Sequence, residues 1–176
     1  SDGQISINSN NINGDIIIIL NNTSITCENA PAIFVYNKQT NSTNCNITIK
    51  TANNSNNTIS GGKIKQSVEG WSDQSEILYY VEKGYDDDRQ YYERYKYDGA
   101  ISSDISLTFE GEGTLTVNAL AKEGIESKRD ITINSGNYII NSLDDGINAS
   151  TDNESVITIN GGTILVNVTD EAEEGD

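Results

Sequence analysis

Acidic side chains return at one point of a repeated phrase in the second half of this chain. The phrase reads Asp98-Gly99-Ala100-Ile101-Ser102, then Glu123-Gly124-Ile125-Glu126-Ser127, then Asp145-Gly146-Ile147-Asn148-Ala149, and ends as Glu174-Gly175-Asp176. The oxygens gathered there are Glu123 and Glu126 at one corner, Asp144, Asp145 and Asn148 at the next, and Asp170, Glu173, Glu174 and Asp176 at the last. Carboxylates stacked on one another repel unless a cation lies between them, and oxygen-only donors suit a hard cation. The plainer alternative is that each acid stands in water, screened by salt. Recurrence at one position, with Lys122, Lys128 and Arg129 just outside it, favours the cation for the set as a whole. The last phrase is incomplete, so only the first two of these corners have neighbours on both sides.

Such stacking needs a scaffold that returns to the same place. The isoleucines of the phrase stand at 101, 125 and 147, which is 24 and then 22 residues apart, and self-similarity at such a period marks a coil-by-coil solenoid. A second repeat runs with it: Ile131-Thr132-Ile133-Asn134-Ser135-Gly136 matches Ile157-Thr158-Ile159-Asn160-Gly161-Gly162, and 107–113 is the same unit with one residue inserted. Alternation of Ile, Leu and Val with Thr, Ser and Asn puts apolar side chains on one face of a strand and polar ones on the other. No segment carries the 3.6-residue period of an amphipathic helix. Short strands and Gly-rich corners therefore predict an all-β parallel β-helix of about six or seven coils, stacked at about 4.8 Å. Asn118, Asn141 and Asn167 then share one place in successive coils, where their amides can form a ladder that reads first as scaffold.

Composition narrows the function. The chain has 176 residues, a net charge of -16 and no histidine. That balance repels nucleic acid and anionic lipid and favours cations or neutral polymers. No apolar run is long enough to span a membrane, so membrane insertion is not expected. No signal peptide is present; the abrupt ends suggest a mature or trimmed piece of something larger, cut at its C-terminus. The Asn-X-Ser/Thr sequons, such as Asn41-Ser42-Thr43, follow from composition alone. Cys27 and Cys45 each fall on the isoleucine face, as two buried thiols or as a disulfide between neighbouring coils, with the thiols slightly favoured.

The ordered succession 21–35 (NNTSITCENAPAIFV), Ile47-Thr48-Ile49-Lys50, Asn57-Thr58-Ile59-Ser60-Gly61-Gly62 and the Asp98-Gly99-Ala100-Ile101 phrase resembles the secreted bacterial carbohydrate-binding-domain proteins. Nearly the whole chain, from about Asn21, takes part. The resemblance implies a polysaccharide-lyase-like right-handed parallel β-helix, with calcium in the fold. It also implies secretion or display at a bacterial cell surface, and binding of plant cell-wall polymers, cellulose or acidic sugars such as polygalacturonate. Glu123, Glu126, Asp144, Asp145, Asn148, Asp170, Glu174 and Asp176 are then the candidate calcium ligands. A monomer is expected.

The stretch 63–97 breaks the period. It is charged, it reads as a long inserted loop within the single domain 1–176, and it holds seven of the nine tyrosines together with Trp71, the one tryptophan. A pyranose packs its apolar C-H face on an aromatic ring, so Trp71, Tyr91 and Tyr92 are the candidate sugar contacts. Half-buried packing along the solenoid is the competing role for most of these tyrosines.

Lyases share this architecture, and β-elimination from a uronate needs a base beside the sugar carbon, usually Arg or Lys. Lys122, Lys128 and Arg129 lie beside an acidic corner, where each reads more simply as half of a surface ion pair. No histidine and no separated acid pair for glycosidic hydrolysis stands out. The expectation is a non-catalytic binding protein, with a structural or adhesive solenoid and a pectate-lyase-like enzyme as alternatives.

Overall fold

A short strand of alternating apolar and polar residues cannot bury its apolar face alone, and here each such strand does so by stacking on the equivalent strand of the next coil. The computed structural model describes residues 3–37, 45–62, 99–150 and 155–169, with the backbone of 79–86 and 89–95. The first coil comprises β1 (Ile5–Asn8), β2 (Ile16–Leu20) and β3 (Ser24–Cys27), and the second β4 (Ile33–Tyr36), β5 (Ile47–Thr51) and β6 (Asn56–Gly61). After an insertion holding β7 (Tyr79–Asp86) and β8 (Arg89–Tyr95), the third coil comprises β9 (Ile101–Ser103), β10 (Leu107–Gly111) and β11 (Thr114–Ala119). The fourth comprises β12 (Ile125–Ser127), β13 (Ile131–Ile133) and β14 (Asn137–Ser142), and the fifth β15 (Ile147–Ala149), β16 (Ile157–Ile159) and β17 (Thr163–Val168).

These strands form three parallel five-stranded sheets: β1-β4-β9-β12-β15, β2-β5-β10-β13-β16 and β3-β6-β11-β14-β17, the first, second and third sheets below. The architecture is a right-handed parallel β-helix, the hand that parallel crossovers take. Five coils are present among the described residues rather than the six or seven expected, and β7 and β8 pair with each other instead of joining any of the three sheets. Nor is that insertion wholly a loop: β7 and β8 pair antiparallel, Tyr79 opposite Tyr95 and Lys83 opposite Tyr92.

Register is set by columns of like apolar residues. Ile5, Ile33, Ile101, Ile125 and Ile147 stack in the first sheet, and Ile16, Ile47, Leu107, Ile131 and Ile157 in the second. A one-residue slip would turn every apolar column outward, so burial fixes the pairing. The core lies inside the spiral, where Phe109 meets Tyr138 edge-to-face at 6.0 Å. At the fifth coil the inward Ile159 is 57% exposed, as an end layer.

The expected amide ladder is present. Asn141 Nδ2 donates to Asn118 Oδ1 at 2.8 Å, Asn167 Nδ2 to Asn141 Oδ1 at 2.8 Å, and Asn118 Nδ2 to Ser60 Oγ at 3.1 Å below them. A shorter ladder joins Asn160 to Asn134 in the second sheet at 2.9 Å. The cysteines are free thiols on different sides of the coil: Cys27 is half-buried opposite Gly61 at the end of β3, and Cys45 is buried just before β5. Burial and the nearby Asp15 carboxylate push the Cys45 thiol above its ordinary pKa.

The glycines of the acidic phrase are demanded by packing. A Cβ on Gly124 would collide with Ile140 Cγ2, and one on Gly146 with Val166 Cγ1, so the corner presses directly on the inward side chains of the third sheet. The repeated phrase is thus first of all a corner requirement. Its acids come along at that corner, and their side chains part company.

Candidate functional site

Side chains alternate across a strand, so residues between the inward isoleucines of the first sheet must face out. Ser6, Phe34, Ser102, Glu126 and Asn148 form that outward column, in register from the first coil to the fifth. Outward residues of a surface sheet are normally wet, yet Ser102 is 0% and Glu126 5% exposed. β9 and β12 are buried along their whole length, unlike the half-exposed outward positions of β10 and β11.

The corner before β12 brings a second acid to this place. Glu123 is 2% exposed, and its Oε1 accepts from Asn148 Nδ2 at 3.4 Å. Glu126 Oε2 accepts from Ser102 Oγ at 3.0 Å. Gly99 leaves room here, since a Cβ on it would crowd Ser102 Oγ and the Glu126 Cβ. Two buried carboxylates, a half-buried amide and a buried hydroxyl therefore lie at neighbouring positions of one sheet face, joined by these two hydrogen bonds. Turned over, the Asn148 amide would present its oxygen to the same patch.

Two neighbours complete the surface. Phe34 and Tyr36, both half-buried and outward on β4, pair with ring centroids 6.2 Å apart, and Phe34 lies directly below Ser102 in the register. Beyond the strand ends, Lys128 Nζ meets Asp104 Oδ1 at 2.7 Å, while Asp104 Oδ2 accepts from the Asn37 backbone N at 2.8 Å. That carboxylate ties three successive coils together. Lys128 is accordingly half of an ion pair, with Asp104 one coil below as its partner.

The eight acids and amides singled out as metal ligands thus fall into three groups. Glu123, Glu126 and Asn148 come together. Asp144 and Asp145 are exposed on the turn above. The backbone stack at that corner is as expected, because Gly124 N donates to Asp145 O at 2.9 Å, but the short Asp145 side chain turns to solvent while the longer Glu123 folds over the sheet. Asp170, Glu174 and Asp176 lie outside the described residues. So does Trp71, and Tyr91 and Tyr92 are described in backbone alone, opposite Gly84 and Lys83 on β8.

Among the described residues no three acidic, thiol or imidazole groups gather at metal-binding distance. The two glutamates and Ser102 with Asn148 still fit a hard divalent cation: the first three offer oxygen and Asn148 would do so with its amide turned over, the two carboxylates match the charge, and water can fill the remaining positions of a six- to eight-coordinate shell. Ser102 and the Phe34/Tyr36 pair were not singled out from the sequence. Ser102 had a visible signal, following Ile101 in the repeated phrase; Phe34 and Tyr36 had only their outward parity in an otherwise apolar strand.

The outward face of the first sheet thus carries a pair of buried glutamates beside an aromatic pair. The chain belongs to the carbohydrate-binding domain-containing protein family, whose model matches residues 1–176. Among curated proteins none matches. Among solved structures, the polysaccharide lyase-like protein from C. thermocellum, determined as a gadolinium derivative, is similar at a TM-score of 0.58 and 20% identity, over 94% of this chain and 65% of that one. The chain therefore spans about two thirds of the length of that protein, and at this identity the likeness speaks for the fold.

Proposed function

We propose that this is a secreted or cell-surface, non-catalytic protein that recognises plant cell-wall polysaccharide, cellulose or polygalacturonate-like acidic sugar, with calcium bound by its first sheet. The observation that carries the reading is the burial of Glu123 and Glu126 with Asn148 and Ser102 on an outward sheet face beside Phe34 and Tyr36. A hard divalent cation takes oxygen donors, and two carboxylates match its charge. Calcium would be held by Glu123 and Glu126, with Asn148 and Ser102 turned toward it. The Phe34 and Tyr36 rings would take the apolar face of a sugar. Family membership supports carbohydrate as the partner, and the resemblance of the sequence motifs supports secretion.

The test is a pull-down on cellulose and calorimetry with polygalacturonate, each with and without chelator. Binding that chelator removes is the expected result; no binding to either polymer under any condition sinks the reading. A chelator that lowers the melting temperature while sugar binding persists confines calcium to a structural role. The lyase reading rests on the polysaccharide lyase-like neighbour, and new ultraviolet absorbance from an unsaturated product would promote it. Against it, Lys128 is held by Asp104.

A further inference from the structure

No residue of the five strands of the third sheet is charged. In a chain of net charge -16 that is a neutral strip across an acidic molecule. We infer that the outward face of this sheet is the docking strip for an extended, neutral, hydroxyl-rich polysaccharide chain. The inference rests on the carbohydrate reading above and adds to it a second surface and a class of polymer.

Three features of the strip select that occupant. First, charge: the surrounding field repels uronates and phosphates and leaves neutral chains unaffected. Second, rigidity: along the ladder Asn118, Asn141 and Asn167 each spend one N–H on a side chain below, so the second N–H of each amide stands free of the ladder at a fixed spacing. An array already held in place loses little conformational entropy when a polymer lies on it. Third, the adjoining column runs Thr58, Thr116, Ile139, Leu165 in register, from hydroxyls to apolar side chains, with Leu165 53% exposed. Hydroxyl and apolar groups side by side suit a sugar ring, which offers hydroxyls at its rim and C–H groups on its faces. Five strands at the ordinary spacing give a strip roughly 19 Å long, enough for several sugar rings.

The second sheet supplies the control. Its outward Thr132 has the same chemistry and exposure class on a face that carries the Lys50–Glu110 ion pair. Calorimetry with cellohexaose and with polygalacturonate is run on the native chain and on Thr116→Lys, Ile139→Lys and Thr132→Lys. Each is an outward substitution, and folding is checked by the melting temperature. The expected result is cellohexaose binding weakened about tenfold or more by Thr116→Lys and Ile139→Lys and unaltered by Thr132→Lys. Equal cellohexaose binding by all four proteins overturns the strip and leaves the carbohydrate reading standing. Polygalacturonate bound in calcium with no response to cellohexaose does the same. No response to either sugar overturns both. Should a lysine variant fail to fold, amide chemical shifts of the native chain titrated with cellohexaose decide: shifts confined to β11, β14 and β17 support the strip, and shifts elsewhere overturn it.

Discussion

The outward faces of the first and third sheets answer the same problem in opposite ways. On both, parallel register sets a side chain directly above its counterpart one coil down. An amide can live with that repetition, since it donates and accepts at once, and the third sheet simply repeats asparagine through Asn118, Asn141 and Asn167. A carboxylate only accepts, so a column of acids would be a column of repulsions. The first sheet avoids it by setting Glu126 between Ser102 below, which donates to it, and Asn148 above, whose amide donates to Glu123. The ladder face keeps its alternation of buried and half-exposed residues, whereas the acid face loses it over β9 and β12. Uniform columns thus make scaffold, and the broken column is where this solenoid concentrates charge.

The comparison assumes that both faces hang on one core, and the largest effect tests that. Phe109 is wholly buried against Tyr138, and Phe109→Ala should cost about 3–5 kcal/mol in urea denaturation. Sugar affinity of the folded variant should stay within about twofold, a change of under about 0.5 kcal/mol. An affinity lost in step with stability would mean that the faces are not separate attachments.

Glu126→Gln sharpens the acid side. Wild type at calcium a hundredfold above its dissociation constant should gain about 2.7 kcal/mol, read as a rise in melting temperature, and the variant much less. Equal calcium responses from the two proteins would erase the distinction between the faces.

On the ladder side, Asn141→Ala removes a donor to Asn118 and an acceptor for Asn167, for about 1–2 kcal/mol, with no dependence on calcium. Combined with Glu126→Gln its effect should add to within about 0.5 kcal/mol, as for distant sites. A larger coupling would show the two faces communicating through the coil.

Much of this was legible because a solenoid writes its geometry into its period. The alternation in Ile131-Thr132-Ile133 and the spacing of Ile101, Ile125 and Ile147 fixed which residues become vertical neighbours, and the Asn118–Asn141–Asn167 ladder followed. The coil count did not follow, because nothing in the run of tyrosines told how much of it leaves the spiral. The acid corner was half legible. Its backbone stack could be read from the phrase, but burial of the side chain could not: Glu123 lies within the stack and is buried, whereas Asp145 belongs to the fifth coil, where even inward residues are exposed, and faces water. Phe34 and Tyr36 were missed because a short strand of apolar residues shows no face until its register is known.

The smallest effect concerns Tyr138, where a carboxylate acts on a side chain beneath the neutral face. Tyr138 lies inward on β14, its hydroxyl donating to Ser135 O at 2.6 Å, and burial, followed by the Glu110 carboxylate, pushes its pKa up to about 12 from an ordinary 10. Between those values the unfolded chain releases the phenolic proton while the folded chain holds it, so fewer protons are bound in the unfolded state and stability falls as pH rises. Below about pH 10 both states keep the proton and Tyr138 contributes no slope. Urea midpoints of wild type and Tyr138→Phe should therefore run parallel up to pH 10 and converge toward pH 12, since phenylalanine has no proton to lose. Glu110→Gln should move the onset of the native titration slightly lower, as the lesser of the two causes. Curves that stay parallel to pH 12 would mean that the hydroxyl is wet and that the third sheet does not seal its own core.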